Sequence, residues 1–145
     1  MMLFKRWWVV VGLSASLVLA SGCVEKPASE PSATVYYRVT AESRPLVDDM
    51  LATYAEDGTF QFAAGAIGNK DASNYTVHLV RPDAQIIGVD PFVSNCFRLS
   101  FYKTLRIDRA SDSEIDQIRQ DLESRLRGIN GVTMLTKTES EALGC

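Results

Sequence analysis

The sequence predicts an α+β domain: an antiparallel sheet with two helices on one of its faces. Three observations predict it. Apolar residues alternate with polar ones over several short stretches, as on strands with one buried side. Two longer stretches space their apolar residues three and four apart, as on amphipathic helices. The two kinds follow one another as strand, helix, several strands, helix, strand.

Val35, Tyr37, Val39 and Ala41 share one face of the first strand, with Tyr36, Arg38, Thr40 and Glu42 on the other. Ser43 is placed to cap the next element, and Pro45 suits a first helical turn. Leu46, Val47, Met50, Leu51 and Tyr54 then recur at helical spacing, with Asp48 and Asp49 near the positive end of the dipole. Gly58 ends that helix. Phe60, Phe62 and Ala64 alternate in a second strand that runs into Gly65 and Gly68, and residues 68–74 read as a polar turn. Tyr75, Val77 and Leu79 mark a third strand, stopped before Pro82.

Ile86, Ile87 and Val89 predict a short strand broken at Asp90-Pro91, and Phe97, Leu99 and Phe101 a longer one with Cys96 at its start. The clearest helix comes next. Ser111 and Glu114 match a capping box, and Ile115, Ile118, Leu122, Leu126 and Ile129 line one face. Asp121 with Arg125, and Glu123 with Arg127, are spaced for i,i+4 ion pairs. Gly128 and Asn130-Gly131 turn the chain into a last short strand, 132–136, and a polar tail to Cys145. This order is that of a split β-α-β, ferredoxin-like two-layer sandwich, with the 74–95 region extra to the minimal plan.

Ahead of this domain, 35–145, stand two segments of another kind. Lys5 and Arg6 precede an apolar run of fourteen residues, Trp7 to Ala20. At helical rise the run spans about 21 Å, short of the ~30 Å hydrocarbon core, so an export signal fits better than a membrane-spanning helix. The run ends in Leu19-Ala20-Ser21-Gly22-Cys23. Small residues before a cysteine resemble a bacterial lipoprotein signal, and the resemblance covers residues 1–23 only. It implies cleavage after residue 22, a diacylglyceryl group and an added acyl chain on Cys23, and membrane attachment through that lipid. Leucine is commonest where Ala20 stands. Val24, in place of an aspartate after the cysteine, implies the outer membrane if the source is Gram-negative. Residues 23–34, rich in proline, serine and glutamate, read as a flexible tether.

Removing the 22-residue signal from 145 leaves 123 residues, and losing Lys5 and Arg6 takes the formal net charge from −3 to −5. That is chain enough for one core. The acidity argues against a nucleic-acid partner, whose phosphates need a basic face. If Cys23 carries lipid, Cys96 and Cys145 remain in a disulfide-permissive compartment. An internal bridge is expected; an intermolecular disulfide or two free thiols are the alternatives.

No catalytic constellation is visible. His78 is the only histidine and lacks the partners that a metal site or a base needs, so no catalytic residue, metal or cofactor is expected. Gly65-Ala66-Ile67-Gly68 stands outside any phosphate-binding motif. The residues that draw attention are Tyr36, Arg38, Arg98 and Tyr102. By alternation they point away from the apolar side, and tyrosine with arginine is the composition of protein interfaces. The expected function is a membrane-anchored, non-enzymatic binding module for another envelope protein. A periplasmic inhibitor or immunity lipoprotein is the alternative within that class. An enzyme with a site near His78 and Cys96 is the alternative outside it.

Overall fold

The alternating stretches pair into a single sheet. The computed structural model describes residues 26–65, 74–91 and 96–145. Its elements are β1 (Ala33–Val39), α1 (Arg44–Asp57), β2 (Gln61–Gly65), β3 (Asn74–Val80), β4 (Ala84–Pro91), β5 (Cys96–Lys103), α2 (Asp112–Arg127), β6 (Val132–Leu135) and α3 (Lys137–Ala142). The six strands lie in the order β2-β3-β4-β5-β1-β6 and every neighbouring pair is antiparallel. Strands β2 to β5 run as a meander. The chain passes through α1 from β1 to the far edge, and through α2 from β5 across β1 to β6. An α+β fold built on an open antiparallel sheet is therefore what the sequence forms.

Most of the expected apolar positions are buried, but Ala41, Leu46 and, on the edge strand β2, Phe62 and Ala64 are exposed. Tyr37 and Val39 of β1, Val77 and Leu79 of β3, Ile86 of β4, and Phe97, Leu99 and Phe101 of β5 share one core. Val47, Leu51 and Tyr54 from α1 and Ile115, Ile118, Leu122 and Leu126 from α2 complete it. The Tyr37 hydroxyl is buried without a hydrogen-bond partner, and burial pushes its phenol well above the ordinary value.

Several local expectations change. β4 is eight residues long and runs through Asp90 to Pro91. Gly88 in its middle is explained by packing, because a Cβ there would lie 2.7 Å from the Phe97 ring. Ser43 makes no side-chain cap on α1; its hydroxyl donates instead to the Asn130 carbonyl at 2.5 Å, joining the start of α1 to the turn before β6. Gly131, in that turn, has φ +85°, and a Cβ on it would meet the Ser43 and Thr40 hydroxyls. Asp48 and Asp49 lie beyond the first turn of α1, and Asp48 pairs with Arg44 at 3.4 Å. Arg125 reaches Asp57 at the end of α1 (3.0 Å) rather than Asp121, while Arg127 keeps Glu123 at 3.8 Å. The expected polar tail contains α3, whose Thr136 and Glu139 form a capping box.

The expected tether is the largest change. β1 begins at Ala33, and the residues before it lie along the end of β5. Pro27 bridges to Thr104, the Ala28 N–H donates to Lys103 (2.8 Å), and the Ser32 N–H to Phe101 (2.7 Å). Composition does not reveal this, since only backbone groups make the bonds. Residues 1–25, including the signal and Cys23, lie outside the described residues, as do 66–73 of the expected turn and of the Gly65–Gly68 spacing.

The α2 cap gives a direct prediction. The Ser111 hydroxyl accepts from the Glu114 N–H at 3.2 Å, and the Ser111 N–H donates to Glu114 Oε2 at 2.6 Å. Its interactions with Ser111, first with the backbone N–H and then with the side chain, hold the Glu114 carboxyl below its ordinary value. Ser111→Ala should cost about 1 kcal/mol in denaturant titration. A carboxyl depressed in the folded state contributes stability above its unfolded pKa and loses it as pH falls through the folded one. Stability should therefore fall less steeply on acidification in Glu114→Gln than in the wild type.

Candidate functional site

The face of the sheet turned away from this core carries Thr34, Tyr36 and Arg38 on β1, and Cys96, Arg98, Ser100 and Tyr102 on β5. Register decides which of them meet. Tyr36 stands opposite Arg98, Arg38 opposite Cys96, and Thr34 opposite Ser100, with their hydroxyl oxygens 3.3 Å apart. Tyr36 is half-buried while Arg38 and Arg98 are exposed. Tyr36 thus shares a rung with Arg98 and has Arg38 on the next outward position of its own strand. Tyr102 does not join them. It lies four residues along β5 from Arg98, roughly 13 Å at strand rise, opposite Gln85 of β4.

The end of the chain closes one side of this face. Cys96 is fully buried, and its sulfur is at bonding distance from that of Cys145, with Cα atoms 6.0 Å apart. Because Cys96 points to the outer side, the bridge carries the C-terminus there. The tail also brings Glu139 near Arg38. The Glu139 carboxyl is held low first by the Thr136 N–H, then by the Thr136 hydroxyl and last by the Arg38 charge. Beyond Tyr36 a shallow depression of about 220 Å³ is lined by Thr34, Leu135 and Lys137, among others.

His78 is half-buried, with Nε2 3.1 Å from Gln85 Oε1. It stands opposite Ile87, which stands opposite Ser100. Cys96 is therefore two strands across and four residues along, on the order of 15 Å away by sheet geometry. The structure does not bring His78 and Cys96 together. Among the described residues, no three His, Cys, Asp or Glu side chains converge in a way that would hold a metal ion.

No protein family, curated protein or solved structure matches this chain. The geometry alone therefore carries the functional reading.

One charged cluster on the core side was not visible in sequence. Arg44 at the start of α1 contacts Asp90 at the end of β4, and its guanidinium carbon lies 4.8 Å from the centre of the Phe97 ring. Burial raises the Asp90 carboxyl above its ordinary value, and the Arg44 charge opposes that shift. Such a partly buried arginine between carboxylate and aromatic ring ties helix to strand. Only its distance in sequence, 46 residues, hid it. The outer face carries the exposed Arg38 and Arg98 beside the half-buried Tyr36.

Proposed function

We propose that the chain is an envelope lipoprotein, attached through Cys23, whose domain is a non-enzymatic binding module for another envelope protein. The observation that carries the binding role is the placement of Tyr36 directly opposite Arg98, with Arg38 on the next outward position of β1. Tyrosine and arginine dominate the energetics of protein interfaces because each combines a large flat contact with directional hydrogen bonds. An acidic strip on the partner suits the two guanidinium groups. Localisation follows the lipid, with the outer membrane favoured by Val24 in a Gram-negative source.

The fold reading belongs to the same proposal. The sub-order β6-β1-β5-β4, with α1 and α2 contributing to one core, supports a ferredoxin-like plan in which β2 and β3, rather than the 74–95 region expected from the sequence, are an added hairpin at one edge. The separation of His78 from Cys96, and the pairing of Cys96 with Cys145, weigh against a nucleophilic site at those residues.

The test is partner capture from a mild-detergent extract. The lipidated wild type should retain a defined envelope protein, and Tyr36→Ala with Arg38→Ala and Arg98→Ala should lose at least about tenfold of it, the scale of a disrupted hot spot. Tyr102→Ala should have a smaller effect. Undiminished capture by the triple variant would exclude this face, and an unchanged membrane fraction for Cys23→Ser would exclude the anchor.

A further inference from the structure

We propose that the loop 105–109, between β5 and α2, is a second membrane contact that lies on the bilayer surface beside the lipidated Cys23. The inference rests on the lipoprotein reading and adds to it a site on the folded domain. Large apolar side chains exposed among the described residues are four: Leu46, Phe62, Leu105 and Ile107. Two of them are in this one loop. Ile107 is 106% exposed and Leu105 60% exposed. A pair of aliphatic side chains held out in water at adjacent outward positions marks an interaction surface.

The loop is held from below. Thr104 is fully buried, with its hydroxyl donating to the Pro82 carbonyl at 2.8 Å, and Ala110, 2% exposed, donates its N–H to Asp83 at 3.0 Å. A loop fixed at both ends presents Leu105 and Ile107 without first having to order itself.

What covers them follows from where the chain enters. The Leu105 N–H donates to the Lys26 carbonyl at 3.2 Å, so the first described residue is bound to the loop itself. Only Val24 and Glu25 separate Lys26 from Cys23. Three residue steps reach at most about 10 Å, a distance comparable to the ~5–10 Å depth at which amphipathic segments lie in the headgroup region. Acyl chains on Cys23 therefore bring Leu105 and Ile107 to the lipid surface. Two aliphatic side chains would bind a bilayer poorly on their own; as the second attachment of a molecule already anchored, they act at high effective concentration.

Charge agrees with this occupant. Residues 103–112 together with Lys26 carry Lys26, Lys103, Arg106 and Arg109 against Asp108 and Asp112; Lys103 pairs with Asp112 and Arg106 with Asp108, which leaves a local net of two positive charges in a chain whose formal net charge is −3. The locally positive rim matches headgroup phosphates, and arginine stems can lie along the acyl boundary with their charge outward.

The test places an environment-sensitive fluorophore at Asp108→Cys in the lipidated protein, reconstituted into vesicles of neutral and anionic phospholipid containing a lipid-borne quencher. Ser124→Cys, about 18 Å along α2 from its start at Asp112 by helical rise, is the control position. Quenching at 108 should exceed that at 124 by at least about twofold, as expected for a group within the interfacial layer. Leu105→Ser with Ile107→Ser should return it to the control level, while circular dichroism stays unchanged because both side chains are exposed. Equal quenching at the two positions in a sample whose intact mass shows the diacylglyceryl group overturns the loop contact and leaves the anchor standing. Shielding of the 108 label in native membranes but not in protein-free vesicles also overturns it, in favour of a protein at the loop. A sample with no lipid in its mass fails the anchor, and the loop contact fails with it.

Discussion

Phe97→Ala should destabilise the domain by roughly 3–5 kcal/mol, the range for emptying a fully buried aromatic site. Phe97 has no exposed surface and stands near the start of β5, with its ring against Gly88 of β4 and beneath the Arg44 guanidinium. Its removal takes away apolar burial and the ring on which Arg44 rests. The midpoint of thermal unfolding should fall by more than about 10 °C for a domain of this size. Phe62, 36% exposed at the sheet edge, is the comparison, and its alanine variant should lose less than half as much.

Gly88 turns this into a test of geometry. A Cβ at Gly88 would lie 2.7 and 2.9 Å from atoms of the Phe97 ring and 3.0 Å from Leu99. Gly88→Ala alone should therefore cost about 1–3 kcal/mol through overpacking. With Phe97→Ala already present, the added methyl enters the vacated space, and its cost should shrink or reverse. A coupling of at least about 1 kcal/mol in the double-mutant cycle is expected. Additive effects would mean that the two residues do not touch.

These residues also show what a linear reading can reach. The core positions of β1, β3, β5 and α2 were legible because period-two and helical spacing say directly which side is apolar. β4 was legible only at Ile86-Ile87-Val89, since Ala84, Gly88 and Asp90 carry no apolar alternation; Gly88 is small because Phe97 lies across it, a fact that exists only once strands are paired. The α3 helix is nearly all polar, yet Thr136 and Glu139 repeat the pattern of Ser111 and Glu114, so its signal was present. The docking of residues 26–32 left no signal at all, because backbone groups make it. The candidate face was half legible. Alternation placed Tyr36, Arg38, Arg98 and Tyr102 on one side, but register joined the first three, and the four-residue step from Arg98 to Tyr102 already implied that the last lies apart.

The second large effect concerns the chain end. Cys145→Ser should destabilise by about 4 kcal/mol, the loop-entropy value for a closure of this length, given a separation of 49 residues. The variant should lose the sensitivity to dithiothreitol that the wild type shows, and the reduced wild type should melt where the variant melts. The closed segment contains β5, α2, β6 and α3, but the loss should not be shared evenly among them. α2 is long, capped, and buried along Ile115, Ile118, Leu122 and Leu126. α3 has six residues and one buried side chain, Ser140, too short a helix to persist without tertiary support. Amide exchange in α3 should therefore rise toward the unprotected rate in Cys145→Ser under conditions where α2 exchanges only by global unfolding. Retained α3 protection would show that the capping box and the Ser140 contact hold the helix by themselves, so that the bridge acts on the unfolded chain alone. Lost protection would show that the same bond also holds α3 against β1 and β6.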